Sequence, residues 1–97
     1  MSAAKKSDFL TIRKLLFVDS ETGETKSVTV KLGQPYWTEE GVEAACPVLI
    51  EGMLSRQSDI YGIDFLNAIE LAIQFINTYL ACHAGQLRWS SGEVYED

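Results

Sequence analysis

DFLNAIELAIQFINTYLACH, residues 64–83, is the stretch that decides the fold. It contains no Gly or Pro, and its apolar residues recur at helical spacing, which predicts an α-helix from Phe65 to His83. Asp64 is expected to be the N-cap, because its carboxylate would accept hydrogen bonds from the free N–H groups of the first turn. His83 suits the negative end of the helix dipole, and Gly85 is the expected C-terminal stop.

The apolar side of this helix is wider than one flat sheet requires. Its polar residues occupy a single stripe about 100° wide. These residues are Asn67, Glu70, Gln74, Asn77 and Thr78. Apolar side chains, among them Cys82, cover an arc of roughly 220°. We therefore expect the sheet to curl around the helix, or a loop or partner to cover one flank.

The segments outside the helix have the composition of strands. Residues 9–18 and 27–32 are rich in β-branched and large apolar residues, and the polar turn between them contains Gly23, which predicts an antiparallel hairpin. A third strand is expected over residues 45–54, and a short fourth strand over residues 87–89. The predicted fold is α+β: an antiparallel sheet of about four strands packed on one long helix, in strand-strand-strand-helix-strand order.

The chain has the length of one domain. Residues 1–8 are interpreted as a flexible basic leader, residues 9–92 as the single α+β domain, and residues 93–97 as an acidic tail. The leader lacks the apolar stretch of a signal peptide, and no window approaches the roughly 18–20 apolar residues of a membrane span. A cytoplasmic protein with no membrane association and reduced cysteines is therefore expected.

Charge is distributed unevenly along the chain. The net charge is −6, from 14 acidic and 8 basic residues. Residues 1–31 hold six bases and four acids, whereas residues 32–97 hold two bases and ten acids, a local charge of −8. Such a field repels phosphate backbones, so nucleic-acid binding is not expected. A basic protein partner fits this charge better, unless the acids serve only solubility.

The segment between Gly33 and Gly41 is predicted to be a surface loop, because Gly33, Pro35 and Gly41 interrupt any strand there. Large aromatic residues bordered by polar groups are favoured at protein interfaces. The hypothesised partner-binding residues of this region are Tyr36, Trp37, Glu39, Glu40 and Glu43. Trp37 has a second interpretation, as a lid that folds back over the flank of the helix.

A Cys/His pair is the only enzymatic arrangement that the residue types suggest. Cys46 would be the nucleophile and His83, the single histidine, its base. Nothing in the sequence brings them together, and a thiol beside a strand more often belongs to the core. No metal-ligand spacing of the CxxC, HxxxH or EF-hand kind occurs. No catalytic, cofactor-binding or metal-binding residue is assigned, and the chain is predicted not to be an enzyme.

Four motifs together resemble a small bacterial family, domain-of-unknown-function family 6968. The hairpin ends in Gly-x-Pro at residues 33–35 and is followed by the Cys-Pro strand CPVLIEG at residues 46–52. The helix begins with YGID at residues 61–64, and the chain closes with WSSG at residues 89–92. The resemblance covers most of residues 9–92. It implies the same strand order and carries over no catalytic residue.

Charge, size and the lack of catalytic groups together favour a non-enzymatic acidic protein-binding domain. The more specific expectation is an immunity or antitoxin-type protein that neutralises a basic partner. The alternative is a structural or accessory domain that forms a homodimer through the apolar helix flank. A Cys46/His83 enzyme is the third and most distant reading.

Overall fold

The structure, a computed structural model, describes residues 9–54 and 59–95. These residues form seven strands, one α-helix and a short 3₁₀ turn. In chain order the elements are β1 (Phe9–Val18), β2 (Thr25–Gly33), β3 (Tyr36–Glu39), β4 (Glu43–Cys46), β5 (Val48–Glu51), β6 (Ile60–Gly62), α1 (Phe65–Cys82), the 3₁₀ turn (Ala84–Gln86) and β7 (Leu87–Trp89). The predicted α+β class is confirmed. The leader predicted over residues 1–8 lies outside the described residues.

The larger sheet is antiparallel, with strand order β5-β2-β1-β7. Its centre is the predicted hairpin, in which Leu15 lies opposite Val28 and both are buried. The hairpin turn is stabilised by the Asp19 carboxylate, which accepts from the Glu21 N–H at 2.8 Å, and Gly23 takes the positive φ of 78° that this turn needs. Side chains at alternate positions of β1 and β2 therefore face one common core.

The predicted third strand is divided at Pro47. Residues before it form β4 in the smaller sheet, and residues after it form β5 in the larger sheet. Proline has no N–H to donate to a sheet, which suits a position between two strands. The Pro47 carbonyl accepts from the Gly33 N–H at 2.8 Å, and a Cβ on Gly33 would lie 2.8 Å from the Pro47 ring. The chain thus passes from the smaller sheet to the larger one at Pro47, and the missing side chain of Gly33 leaves room for the Pro47 ring.

The smaller sheet has the order β3-β4-β6, and the prediction that residues 33–41 form a loop outside any sheet is wrong. The glycine and proline do end β2, but Tyr36, Trp37 and Thr38 are residue types that favour strands. Gly41, with a φ of +74°, then provides the hairpin turn back into β4. Gly33 and Pro35 therefore separate two strands here and do not mark a loop.

The helix begins as predicted. The Asp64 carboxylate accepts from the Asn67 N–H at 2.7 Å, and the Asn67 amide oxygen accepts from the Ile63 N–H at 3.0 Å. The two side chains thus satisfy backbone donors on both sides of the helix start. At the other end His83 is the C-cap, one residue past the helix, and Gly85 belongs to the 3₁₀ turn, so it is not the stop.

The core lies under one narrow side of α1. The buried residues of the helix recur every four positions: Ala68, Ala72, Ile76 and Leu80. Small residues let the first half of the helix approach the smaller sheet, because a Cβ on Gly62 would lie only 2.6 Å from the Ala68 backbone nitrogen. Part of the predicted wide apolar arc nevertheless stays exposed, including Leu66, Leu71 and Ile73.

The helix is also long and apolar enough, by length and composition, to cross a membrane. This differs from the expectation that no window of the sequence has this property. A core helix of a water-soluble domain can have the same length and composition, and this helix packs on both sheets.

The chain closes on Tyr95, which is only 2% exposed. Its N–H donates to the Leu87 carbonyl at 3.1 Å, and its ring lies 4.9 Å from that of Trp89. The segment interpreted as an acidic tail from residue 93 therefore contributes a core residue, and the fold continues beyond residue 92.

Candidate partner-binding surface

The five hypothesised partner-binding residues lie together at one end of the smaller sheet. Three belong to β3, one to the β3–β4 turn and one to the first position of β4, and all five are exposed. We call this set the acidic–aromatic surface: Tyr36, Trp37, Glu39, Glu40 and Glu43. It sits on an edge strand, which holds its side chains in a fixed register that a loop would not provide.

The two aromatic residues lie on opposite faces of the sheet. Trp37 pairs with Ala44, a core residue, so it lies on the helix side, and its ring centroid is 4.7 Å from that of Phe65. It nevertheless remains 39% exposed. Trp37 therefore covers the start of the helix, as the lid interpretation requires, and also presents a free aromatic edge.

Tyr36 lies on the outer face, in one row with Ala45 and Tyr61. Its hydroxyl donates to the Asp59 carboxylate at 2.5 Å. This hydrogen bond, with partial burial and the Asp59 charge, raises the pKa of Tyr36 to about 12. The phenol therefore stays protonated as a donor, and it connects β3 to the segment that leads into β6.

The glutamates concentrate negative charge at this edge. Glu39 lies directly opposite Glu43, and the Thr38 hydroxyl lies 2.6 Å from the Glu43 carboxylate. Like charges at opposed positions of a sheet are unfavourable. Within the described ranges the one ion pair joins Lys31 to Glu51, on the larger sheet. No basic side chain of these ranges forms an ion pair with Glu39 or Glu43. A cationic partner would relieve this repulsion.

Sequence reasoning missed an apolar border beside these acids. Ile63 is 71% exposed and Leu66 is 67% exposed, and both adjoin Phe65, which Trp37 contacts. The wide apolar arc of the helix was the signal for Leu66, because an arc wider than the sheet predicts uncovered residues. The surface therefore combines desolvatable apolar area with carboxylates that form no ion pair with any described residue, a combination typical of protein interfaces.

The structure does not bring Cys46 and His83 together as a catalytic pair. Cys46 is buried, with its Sγ 3.5 Å from the Gly33 carbonyl, and burial together with the Asp59 charge raises its pKa to about 11. His83 lies beyond the far end of the helix, where its Nδ1 is 3.0 Å from the Tyr79 carbonyl. A buried thiol of high pKa is a poor nucleophile.

Cys82, which the sequence places on the apolar arc of the helix, is exposed. The part of the chain that the structure describes holds no group of three or more His, Cys, Asp or Glu residues placed to bind a metal ion.

Comparison with known proteins gives one finding. A family model, Domain of unknown function (DUF6968), matches residues 12–96. This confirms the family that the sequence was expected to belong to. No curated protein and no solved structure gives a significant match.

Proposed function

Because the chain belongs to the DUF6968 family, whose function is not established, we propose its function from the geometry of its surface. The chain is a non-enzymatic domain that binds a basic protein partner through the acidic–aromatic surface. One observation carries the proposal: three glutamates and two partly exposed aromatic residues share one edge hairpin and its turn. Aromatic residues supply desolvated contact area, and the acids supply attraction and paired hydrogen bonds.

The free edge of β3 gives the partner a backbone to pair with. Among the described strands β3 pairs only with β4, so its other edge presents N–H and C=O groups. Edge strands recognise extended segments by adding a strand, with main-chain hydrogen bonds for affinity and side chains for specificity. A basic strand laid along β3 would place a cation beside Glu39, with Glu43 one strand farther away.

In its more specific form, the proposal is an immunity or antitoxin-type protein that acts in the cytoplasm and blocks a basic enzyme. The net charge of −6 supports it, because long-range attraction speeds encounter with a cationic surface. The high pKa of Cys46 and the separate placement of His83 support a non-enzymatic role.

A second candidate function is self-association through the helix flank. Leu66 and Ile73, seven positions apart and so on the same side of α1, are both exposed, and apolar helix residues of this kind are commonly covered in dimers. Sedimentation equilibrium tests it: a mass that rises from monomer to dimer with concentration, and falls back in Leu66→Glu, favours this candidate over the first.

The test of the main proposal is a charge-reversal comparison. The tagged chain captures partners from the native lysate, and association kinetics are then measured at low and moderate salt. The triple variant E39K/E40K/E43K should associate more slowly and with a flatter salt dependence. The control E21K/E24K/E93K makes the same change in net charge at exposed positions elsewhere. If both triple variants slow association equally, net charge alone is responsible and the surface assignment is wrong.

A further inference from the structure

A cavity of about 540 Å³ lies between α1 and the larger sheet. None of the residues of the acidic–aromatic surface lines it. Cavities of roughly 300–1,000 Å³ are the usual size of small-molecule sites in proteins. This one therefore has room for a ligand of about ten to fifteen non-hydrogen atoms.

The walls of the cavity are mainly apolar. They come from the helix and from three strands of the sheet that faces it: Ile73 and Ile76 of α1, Ile12 of β1, Val30 and Leu32 of β2, and Trp89 of β7. Ile73 belongs to the part of the wide apolar arc that neither sheet covers, and it remains 43% exposed. An apolar ligand body in the cavity would cover this residue, which explains why the arc extends so far.

Arg13 supplies the polar group of the cavity. It lies opposite Val30 in the sheet, so its side chain projects toward the core side of β1. Its Nη1 donates to the Tyr95 hydroxyl at 2.8 Å, and its guanidinium lies 5.4 Å from the Trp89 ring centroid and 5.8 Å from that of Tyr95. Two aromatic rings and a hydrogen bond therefore hold this cation in place.

The charge around the cavity has one sign. Arg13 is its charged group on the core side of β1, since the side chain of Lys14 follows on the opposite face, and no Asp or Glu of the described chain lines it. A guanidinium carries five N–H donors, and the Tyr95 bond occupies one of them among the described residues. Its planar fork matches the two oxygens of a carboxylate.

We propose that this cavity binds a small amphipathic monocarboxylate, an acyl or aryl acid, with its carboxylate on Arg13 and its apolar body between Ile73, Val30 and Trp89. This site is separate from the acidic–aromatic surface and does not depend on the proposed function. Tyr95 acts as a positioning residue, because it orients the guanidinium that binds the ligand.

The test uses the full chain with Trp37→Phe, so that tryptophan emission reports Trp89 alone. Decanoate and 4-phenylbutanoate are titrated below their micellar range, with decanol as the uncharged match for decanoate. Saturable emission changes, with amide shifts in NMR spectra at Thr11, Ile73 and Trp89, support the site. Decanol should bind at least about tenfold more weakly than decanoate, since a charge-assisted pair contributes on the order of one factor of ten or more.

Two variants and a control complete the experiment. Arg13→Gln should weaken decanoate binding about tenfold or more, and Ile73→Glu, at a half-exposed helix position, should do the same by placing a negative charge at the cavity. Lys26→Gln removes an equal charge outside the cavity and should leave binding unchanged. The proposal is overturned if neither acid binds saturably, if decanol binds as well as decanoate, or if both cavity variants bind like the control.

Discussion

Replacing Trp37 with Ala tests how far the acidic–aromatic surface is also part of the fold. Trp37 is 39% exposed, so about three-fifths of the residue is buried, and its ring centroid lies 4.7 Å from that of Phe65. Truncating a fully buried Phe or Trp side chain to Ala lowers the free energy of unfolding by about 3–5 kcal/mol. Scaled to the buried share, Trp37→Ala should lower the free energy of unfolding by about 2–3 kcal/mol.

Urea denaturation followed by far-UV circular dichroism measures this loss as a lower midpoint at an unchanged slope. Trp37→Phe keeps a ring facing Phe65, so it should retain more than half of the unfolding free energy that Trp37→Ala loses. Leu66→Ala, at a position 67% exposed, is the control and should stay within about 0.5 kcal/mol of the parent. A cost below about 0.5 kcal/mol for Trp37→Ala would show that the Trp37–Phe65 contact does not stabilise the domain.

The remaining predictions concern the cap, the thiols and the outer tyrosine. Asp64→Ala should cost about 0.5–2 kcal/mol of unfolding free energy in the same assay, and Asp64→Asn should recover most of it; an Asn variant as unstable as Ala would show another role for the carboxylate. Alkylation of the native protein near pH 8 should be fast at Cys82, which is exposed, and slow at Cys46, which is buried with its pKa raised to about 11; mass spectrometry of the labelled peptides decides the order. Because the pKa of Tyr36 is raised from its ordinary value of 10.0 to about 12, its contribution to stability is present below pH 10 and is lost as the pH rises toward 12. Tyr36→Phe should therefore flatten the fall of stability over this interval, and an unchanged pH profile would contradict the Tyr36–Asp59 hydrogen bond.

The features that were predictable from the sequence are those set by neighbours in the chain. The helix, its Asp64 cap and the first hairpin each depend on residues within a few positions, so periodicity and turn chemistry were sufficient. The family resemblance rested on the same local motifs.

The predictions that failed concern features that are set by contacts between segments distant in the sequence. Tyr36–Glu39 forms a strand because β4 lies beside it and pairs with it. The predicted third strand is divided between the two sheets at Pro47, with β4 in the smaller sheet and β5 in the larger one. Cys82 shares a helix flank with Leu71, also exposed, and a helical projection does not show where the neighbouring sheets end. The Arg13 cavity needs four elements, β1, β2, α1 and β7, to meet together with Tyr95, which no local pattern encodes.

The turn between β3 and β4 has a consequence for how such a domain changes over evolutionary time. Gly41 must keep its positive φ of 74°, but a side chain added there would meet nothing within 4 Å, so the space around the tip is open. Substitutions and insertions at exposed tips cost little stability, since they disturb no buried contact. Glu40 and Val42, on either side of Gly41, are thus free to diversify while β4 and the core stay fixed. One scaffold can acquire a new binding preference at this tip without refolding.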